Sequence, residues 1–372
     1  MLKNTVDAVQ KLKKINILVG AMTRCFSTKP SILTSDFNIQ ILEDAIEIHI
    51  EAKVFKLPLS HVKLLPSSLS SLGITNRWIS FRILTQPNSL YGTFETEIIN
   101  TENSLTSSFS SYSNKVEFPP KNTACKFYCK CCKNVITKTV CFQRILPLPS
   151  SDCDPQEWFC CKHSGEESFS LDPKETDLFY SINYSVLNKH VFVENLKFKN
   201  SIIHCNRCLS ILGSFDGHET KSLKIWNCCV EYKGSNDSIS KRISSPLCDF
   251  LSSVKTTAEL IIGEKILLEA QDVNSLHYIL LRPMEAKLDL FTEDKEHFDG
   301  QILDLKSSSV VKVLYNYGEN KKTIKNNDPD TKHCELALPS ILAGMDQLVS
   351  SSTRFPPAYR RTDEFYIGYL II

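Results

Sequence analysis

Two strings decide how this chain is read: Phe127-Tyr128-Cys129-Lys130-Cys131-Cys132 and, about 70 residues later, Ile202-Ile203-His204-Cys205-Asn206-Arg207-Cys208. Each contains a Cys-x-x-Cys pair. Two thiolates at that spacing can hold one tetrahedral zinc from a single tight turn, and two such turns complete a four-thiolate site of Cys129, Cys132, Cys205 and Cys208. The second pair sits between Ile202-Ile203 and Ile211-Leu212-Gly213, so an apolar strand enters the turn and another leaves it, as in a zinc-ribbon knuckle. The separation is much longer than the roughly 15 to 20 residues of compact zinc motifs. The competing readings are buried free thiols or two unrelated turns.

The rest of the cysteine usage fits metal better than disulfides. The chain has 372 residues and 15 cysteines, an odd number, with neither a signal peptide nor the small size of a disulfide scaffold. In a reducing compartment such cysteines bind metal or pack as small hydrophobes. Between the two pairs, Trp158-Phe159-Cys160-Cys161-Lys162-His163 offers three ligands in four residues. It could complete a site with Cys125, Cys131, Cys141 or Cys153, or present ligands to a metal held by another protein. It could equally be a packed Cys160 beside a solvated His163. Cys228-Cys229 lies in a strand-like run, so one of the two is expected in the core. Cys334 follows His333 and invites a nucleophile reading, although sequence neighbours need not touch.

Outward from the cysteines the pattern is that of strands. Asn38 to Phe55 alternates, with Ile46, Ile48 and Ile50 on one face and Glu47, His49 and Glu51 on the other. Trp78 to Leu84, Thr93 to Ile99, Phe179 to Val193, Leu223 to Tyr232, Ser275 to Leu281, Val310 to Tyr315 and Glu364 to Ile372 also read as strands. Pro246 to Leu260 reads as a helix, capped by Ser244 or Ser245 with Pro246 in its first turn, and Pro339 to Ser350 as a second. The expected class is α+β and β-rich: an antiparallel N-terminal sheet region, a zinc-binding cysteine-rich middle and a mixed α/β C-terminal half. The expected divisions are an N-terminal extension over 1–34, disordered; a β-rich region over 35–122; the cysteine-rich region over 123–215; and a C-terminal α+β region over 216–372.

Composition excludes several classes of function. With 42% hydrophobic and 23% charged residues the chain can build a sizeable core, and a net charge of +1 predicts no polyanion-binding surface, hence no direct nucleic-acid role. No apolar run reaches the roughly 18 residues of a membrane span. Residues 1–34 carry Lys3, Lys11, Lys13, Lys14, Arg24 and Lys29 against Asp7 alone, a composition shared by mitochondrial transit peptides and by solvated extensions. The later sequence points instead to cytoplasm and nucleus. No G-x-S-x-G, P-loop or H-E-x-x-H motif is present.

Several strings in order resemble a known family, the HECT-like ubiquitin ligases that bind ubiquitin-conjugating enzymes. Val62-Lys63-Leu64-Leu65-Pro66-Ser67-Ser68 resembles its early signature, and Phe127 to Cys132 its first cysteine pair. Arg144-Ile145-Leu146-Pro147-Leu148-Pro149-Ser150 is the most specific string. Glu157-Trp158 with Cys160, Cys161 and His163 resembles a tryptophan-cysteine-histidine element, and Cys205-Asn206-Arg207-Cys208 running to Leu212-Gly213 the second pair. The resemblance covers roughly residues 36 to 372. It implies transfer of ubiquitin accepted from a conjugating enzyme, hence a transferase with ubiquitin as partner. It implies as an alternative a non-catalytic inhibitor or assembly factor of the metallo-β-lactamase endonuclease of pre-mRNA 3′-end processing. In that role Trp158, Cys160, Cys161 and His163 would plug the nuclease's metal centre. The chain departs from the pattern by inserting Phe159 and Lys162, which leaves Cys161 and His163 best placed to reach a metal. No string matches a thioester-forming cysteine, so no catalytic residue is assigned.

Overall fold

The computed structural model describes residues 12–19, 24–30, 37–50, 53–59, 62–75, 78–87, 116–148, 172–217, 221–235, 237–258, 263–299, 302–319 and 330–371. These residues form sheets of thirteen, seven and four strands, with two α-helices, Pro246–Ala258 and Leu338–Ser352. The chain is β-rich with few helices, and most pairings are antiparallel. Among the described residues no helix is long and apolar enough to cross a membrane.

The largest sheet is organised by one long hairpin, Leu276–Asp299 with Ile302–Gly318. At its base, Ile266–Gln271 pairs with the first strand and Phe365–Ile371 with the second, while Lys332–Glu335 adds in parallel to Ile266–Gln271. Both helices pack on this end. Phe250, Val254, Ile341 and Leu348 are buried with Ile266, Leu268, Ile279 and Val313. Ser245 Oγ caps the first helix by accepting from Cys248 N at 3.2 Å. The helices meet at Gly344, where a Cβ would lie 2.3 Å from the Phe250 ring, so only glycine permits this approach.

Toward the hairpin's tip the sheet recruits N-terminal strands. Leu12–Val19 pairs with Leu276–Asp299 and is followed in order by Arg24–Pro30, Trp78–Pro87 and Val62–Thr75. Phe37–Ile41, Ala45–Ile50 and Lys53–Pro58 join by a bridge from Lys56 to Ile302. Ile46 and Ile48 are buried, as the alternation requires. Leu12–Val19 and Arg24–Pro30 are strands of this sheet, their backbone groups paired in its ladders. Thr93 to Ile99 lies outside the described residues.

The cysteine-rich middle builds the two smaller sheets around one core containing Phe127, Ile136, Phe142, Leu178, Ile203 and Leu223. The seven-stranded sheet includes Asp177–Tyr180, Tyr184–Asn188, Ile202–Cys205, Ile211–Ser214 and Ser222–Trp226. Gly213 is needed within it, for a Cβ would lie 1.9 Å from Lys224 O. The four-stranded sheet pairs Ala124–Cys129 with Val230–Gly234. Leu223 to Tyr232 is not one strand: it breaks at a 3-10 turn, Asn227–Cys229, where the chain passes from one sheet to the other. Asn227 fixes the turn, donating from its N to Asn183 O at 3.0 Å and accepting from Ser185 Oγ at 2.6 Å. Consequently Cys228 and Cys229 are both buried, and not one inside and one out.

The middle and the C-terminal helices meet through specific contacts. Lys224 Nζ lies 2.6 Å from Glu335 Oε2 and 4.4 and 4.5 Å from the Tyr184 and Trp226 ring centroids, a paired cation over two aromatic faces. Asn183 Nδ2 donates to Glu335 O at 2.8 Å, and Cys228 Sγ lies 3.4 Å from Ser340 Oγ at the start of the second helix.

Arg144 has a structural task at the sheet's edge. Arg144–Pro147 is an edge strand running parallel to Asp177–Tyr180, a place where Pro147 can be accommodated without breaking the ladder. Arg144 Nε donates to Asp177 Oδ1 at 2.8 Å and its Nη2 to Oδ2, while Lys174 N donates to Oδ2 at 3.0 Å. The Asp177 side chain is 1% exposed. The hydrogen bonds from Arg144, opposed by burial, hold its carboxyl below the usual range. A depressed carboxyl stabilises the fold fully above its unfolded pKa of about 3.9, and that contribution is lost as pH falls through the lower folded value. Asp177→Asn should therefore lower the thermal midpoint at neutral pH and flatten the loss of stability below about pH 4. Parallel acid limbs in thermal melts of the two proteins would contradict this role.

Candidate metal centre

Cys129 ends a strand of the four-stranded sheet and Cys205 ends a strand of the seven-stranded sheet, and each strand then turns through the same local geometry. In the first turn Lys133 N donates to Cys129 O at 2.8 Å and Cys129 N to Asn134 O at 2.8 Å. In the second, Leu209 N donates to Cys205 O at 2.9 Å and Cys205 N to Ser210 O at 3.0 Å. The residue after each pair, Lys133 or Leu209, takes left-handed backbone, with φ of 59° and 60°. Two knuckles of matching hydrogen-bond pattern thus face one another across a sheet boundary.

Their four sulfurs, from Cys129, Cys132, Cys205 and Cys208, all lie within 4.8 Å of one another. Cys129 and Cys208 are 3.6 Å apart, and Cys132 and Cys205 3.5 Å. A tetrahedral four-thiolate site with metal–sulfur bonds of about 2.3 Å has edges of about 3.8 Å, so the cluster fits a metal ion with little adjustment. Burial pushes the Cys129 and Cys132 thiols above their ordinary range. Burial also raises Cys208, but the hydroxyl and backbone of Ser210, with the Cys132 and Cys129 sulfurs, outweigh it and bring that thiol down to about 6. Ser210 Oγ stands 3.2 Å from Cys208 Sγ. A divalent cation bound here would displace the remaining protons and satisfy all four sulfurs together.

Sequence reasoning missed Asn134. Its Nδ2 lies 3.7 Å from Cys205 Sγ and donates to Asn206 Oδ1 at 3.0 Å, tying the first knuckle to the second. It directly follows the first turn, the position from which a neighbouring amide reaches a ligand sulfur. Also unforeseen is Glu231, a buried carboxylate that pairs with Lys133 Nζ and accepts from Ser240 Oγ at 2.7 Å. A glutamate within the Leu223 to Tyr232 apolar run was the available signal.

The other described cysteines stand apart from the cluster. Cys125, Cys228 and Cys229 are buried, Cys131 and Cys141 exposed, Cys248 and Cys334 intermediate. Burial, with Cys141 adding to it, takes Cys125 up to about 12. Burial also raises Cys334, against hydroxyls of Thr257 and Ser253, and it neighbours His333 on a strand, where successive side chains diverge. Neither is set up as a nucleophile. Trp158, Cys160, Cys161 and His163 lie outside the described residues. Cys129→Ser and Cys205→Ser should each abolish metal binding and lower stability on the order of 4 kcal/mol. Unchanged metal content and thermal midpoint in both variants would refute the cluster as a metal centre.

Comparison with known proteins adds to this geometry. The profile of the HECT-like Ubiquitin-conjugating enzyme (E2)-binding family matches residues 8–367. Relatives named as an E3 ubiquitin-protein ligase are found in several mammals. The rat protein is 27% identical over 237 residues, covering 58% of this chain and 62% of the relative, less than two thirds of its length. The mouse protein is 26% identical over 66% of this chain and 71% of the relative. The human protein is 25% identical over 91% of this chain and 90% of the relative. No solved structure shows significant similarity.

Proposed function

The chain belongs to the HECT-like ubiquitin-conjugating-enzyme (E2)-binding family, and from that premise we propose that it acts as a ubiquitin-protein ligase, accepting ubiquitin from a conjugating enzyme and passing it to substrate proteins. The observation that carries this reading is the family match across nearly the whole chain, which bears directly on the conjugating enzyme as partner. The transfer step draws on the name of the mammalian relatives. The ion held by Cys129, Cys132, Cys205 and Cys208 is proposed to be zinc, the divalent metal whose tetrahedral four-thiolate sites are closed and structural. Its part is to lock two sheets into one rigid platform for partners.

Transfer through the chain itself needs a thiolate that attacks the thioester of the charged conjugating enzyme and releases that enzyme's cysteine thiolate. A substrate lysine amine then attacks the new thioester, forming the isopeptide and freeing the chain's cysteine. Among the described residues Cys131 and Cys141 are the exposed thiols. Incubating the full chain with ubiquitin, ATP, activating enzyme and conjugating enzyme should yield a ubiquitin adduct that disappears on reduction. Substrate modification without any reducible adduct would remove the thioester step. Absence of both adduct and modification would remove the ligase reading.

A second reading rests on the string Glu157 to His163, whose soft and borderline ligands suit a partner's metal centre. In it the chain binds and inhibits, or helps assemble, the metallo-β-lactamase endonuclease of pre-mRNA 3′-end processing. Cys161→Ala should then weaken that complex at least tenfold while leaving the thermal midpoint unchanged. Equal affinity of variant and wild type would overturn it.

A further inference from the structure

One residue of the first knuckle holds the turn on which both C-terminal helices rest. Cys228 and Cys229 end the single 3-10 turn Asn227–Cys229, and the last carbonyls of so short a turn find no partner within it. Lys130 takes both of them. Its N donates to Cys229 O at 3.1 Å and its Nζ to Cys228 O at 3.1 Å. Lys130 follows Cys129 inside the Cys-x-x-Cys turn, so the four-sulfur cluster sets its position. The Cys228 sulfur in turn meets the helices. It lies 3.4 Å from Ser340 Oγ in the first turn of Leu338–Ser352, and it neighbours Asp249 in the first turn of Pro246–Ala258.

This seat between turn and helices is buried at a cost. Cys228, Cys229, Asp249 and Ser340 are 2%, 8%, 2% and 0% exposed. Among the described residues, Asp249 Oδ2 and Ser244 Oγ are buried without a hydrogen-bond partner. Unpaired buried polar atoms favour any movement that admits water to them. Burial, with Cys228 next in effect, pushes the Asp249 carboxyl up to about 9, so it stays inside by giving up its charge. The seat therefore has to be held shut from outside, and Lys130 does this from the knuckle. The chain leading into Leu338–Ser352 has a second tie at Glu335, through Lys224 and Asn183, which does not pass through the knuckle. Release of Lys130 thus opens the seat locally and leaves the helix pair attached.

We infer that metal at the four-cysteine cluster, acting through Lys130, closes the seat between Asn227–Cys229 and the two helices, and that loss of the metal opens it and uncovers Cys228 and Cys229. This rests on the metal centre described above and not on the ligase reading. Without the ion, four thiols spaced as closely as 3.5 and 3.6 Å keep their protons, the knuckle loses the bonds that define it, and Lys130 loses its anchor. Metal binding and closure of the seat are then one coupled equilibrium, each favouring the other. Lys130 is the positioning residue in that coupling.

Thiol labelling of the full chain reads the seat directly. N-ethylmaleimide is added to the zinc-loaded chain and to the chain after chelation. Labelled sites are mapped by peptide mass, metal content is recorded, and hydrogen exchange is followed over both helices. Cys228 and Cys229 should label about tenfold faster or more after chelation, with faster exchange at the starts of Pro246–Ala258 and Leu338–Ser352. Lys130→Met should keep its zinc yet label at both cysteines about tenfold faster than the loaded wild type. Lys130→Arg, which can still donate to Cys228 O, should restore the protection. Equal labelling of loaded and chelated wild type, or of loaded wild type and loaded Lys130→Met, overturns the proposal and leaves the metal centre in place. A chain that binds no zinc overturns both. Where chelation unfolds the whole chain, seen as lost exchange protection in all three sheets, the loaded Lys130→Met protein decides by the same criterion.

Discussion

Four cysteine sulfurs meeting within 4.8 Å are the constraint around which the middle of this protein is arranged. They come from two turns about 70 residues apart in sequence, each at the end of a strand in a different sheet. Bringing them together closes a long loop, and the entropy of that closure grows only slowly with length, so a single strong cross-link can support it. Buried thiols packed this closely have too few partners for their protons, and a cation removes the conflict at one stroke. The consequence reaches beyond the sulfurs. Once the knuckles are fixed, Ala124–Cys129 and Ile202–Cys205 are fixed, and the chain crosses between their sheets at Asn227–Cys229.

That crossing couples the middle to the C-terminal helices. Cys228 faces Ser340 at the start of one helix, and Asp249 in the first turn of the other has its carboxyl raised to about 9 by burial and by Cys228. A neutral carboxyl there spares the joint an unpaired buried charge. Lys224 adds a paired cation clasped by Tyr184 and Trp226. The platform proposed to receive a conjugating enzyme is thus braced from both sides, by the cluster at one end and by the helix pair at the other.

Local rules were legible in the sequence and distant ones were not. The cysteine pairs could be read because a two-residue spacer allows both thiolates to face one point from one turn. The helix at Pro246 could be read because Ser245 and Pro246 mark a helix start, and Ile46 and Ile48 because a two-residue period puts them on one face. Strand order could not be read: nothing local pairs Ile17 with Phe291 or Lys56 with Ile302. The break at Asn227 was signalled only by a polar residue set between Trp226 and Cys228. Asn134 carries no sequence mark beyond following a cysteine pair, and its role emerges only once the two turns are laid residue against residue.

The claim on which the rest depends is tested most directly by X-ray absorption at the metal edge, on the purified full chain, with metal content per chain measured alongside. The account predicts one zinc per chain at the cluster, with four sulfurs at about 2.3 Å and no lighter atom in the shell. A chain that purifies folded and metal-free, or a metal whose shell contains nitrogen or oxygen in place of any of these sulfurs, would contradict it.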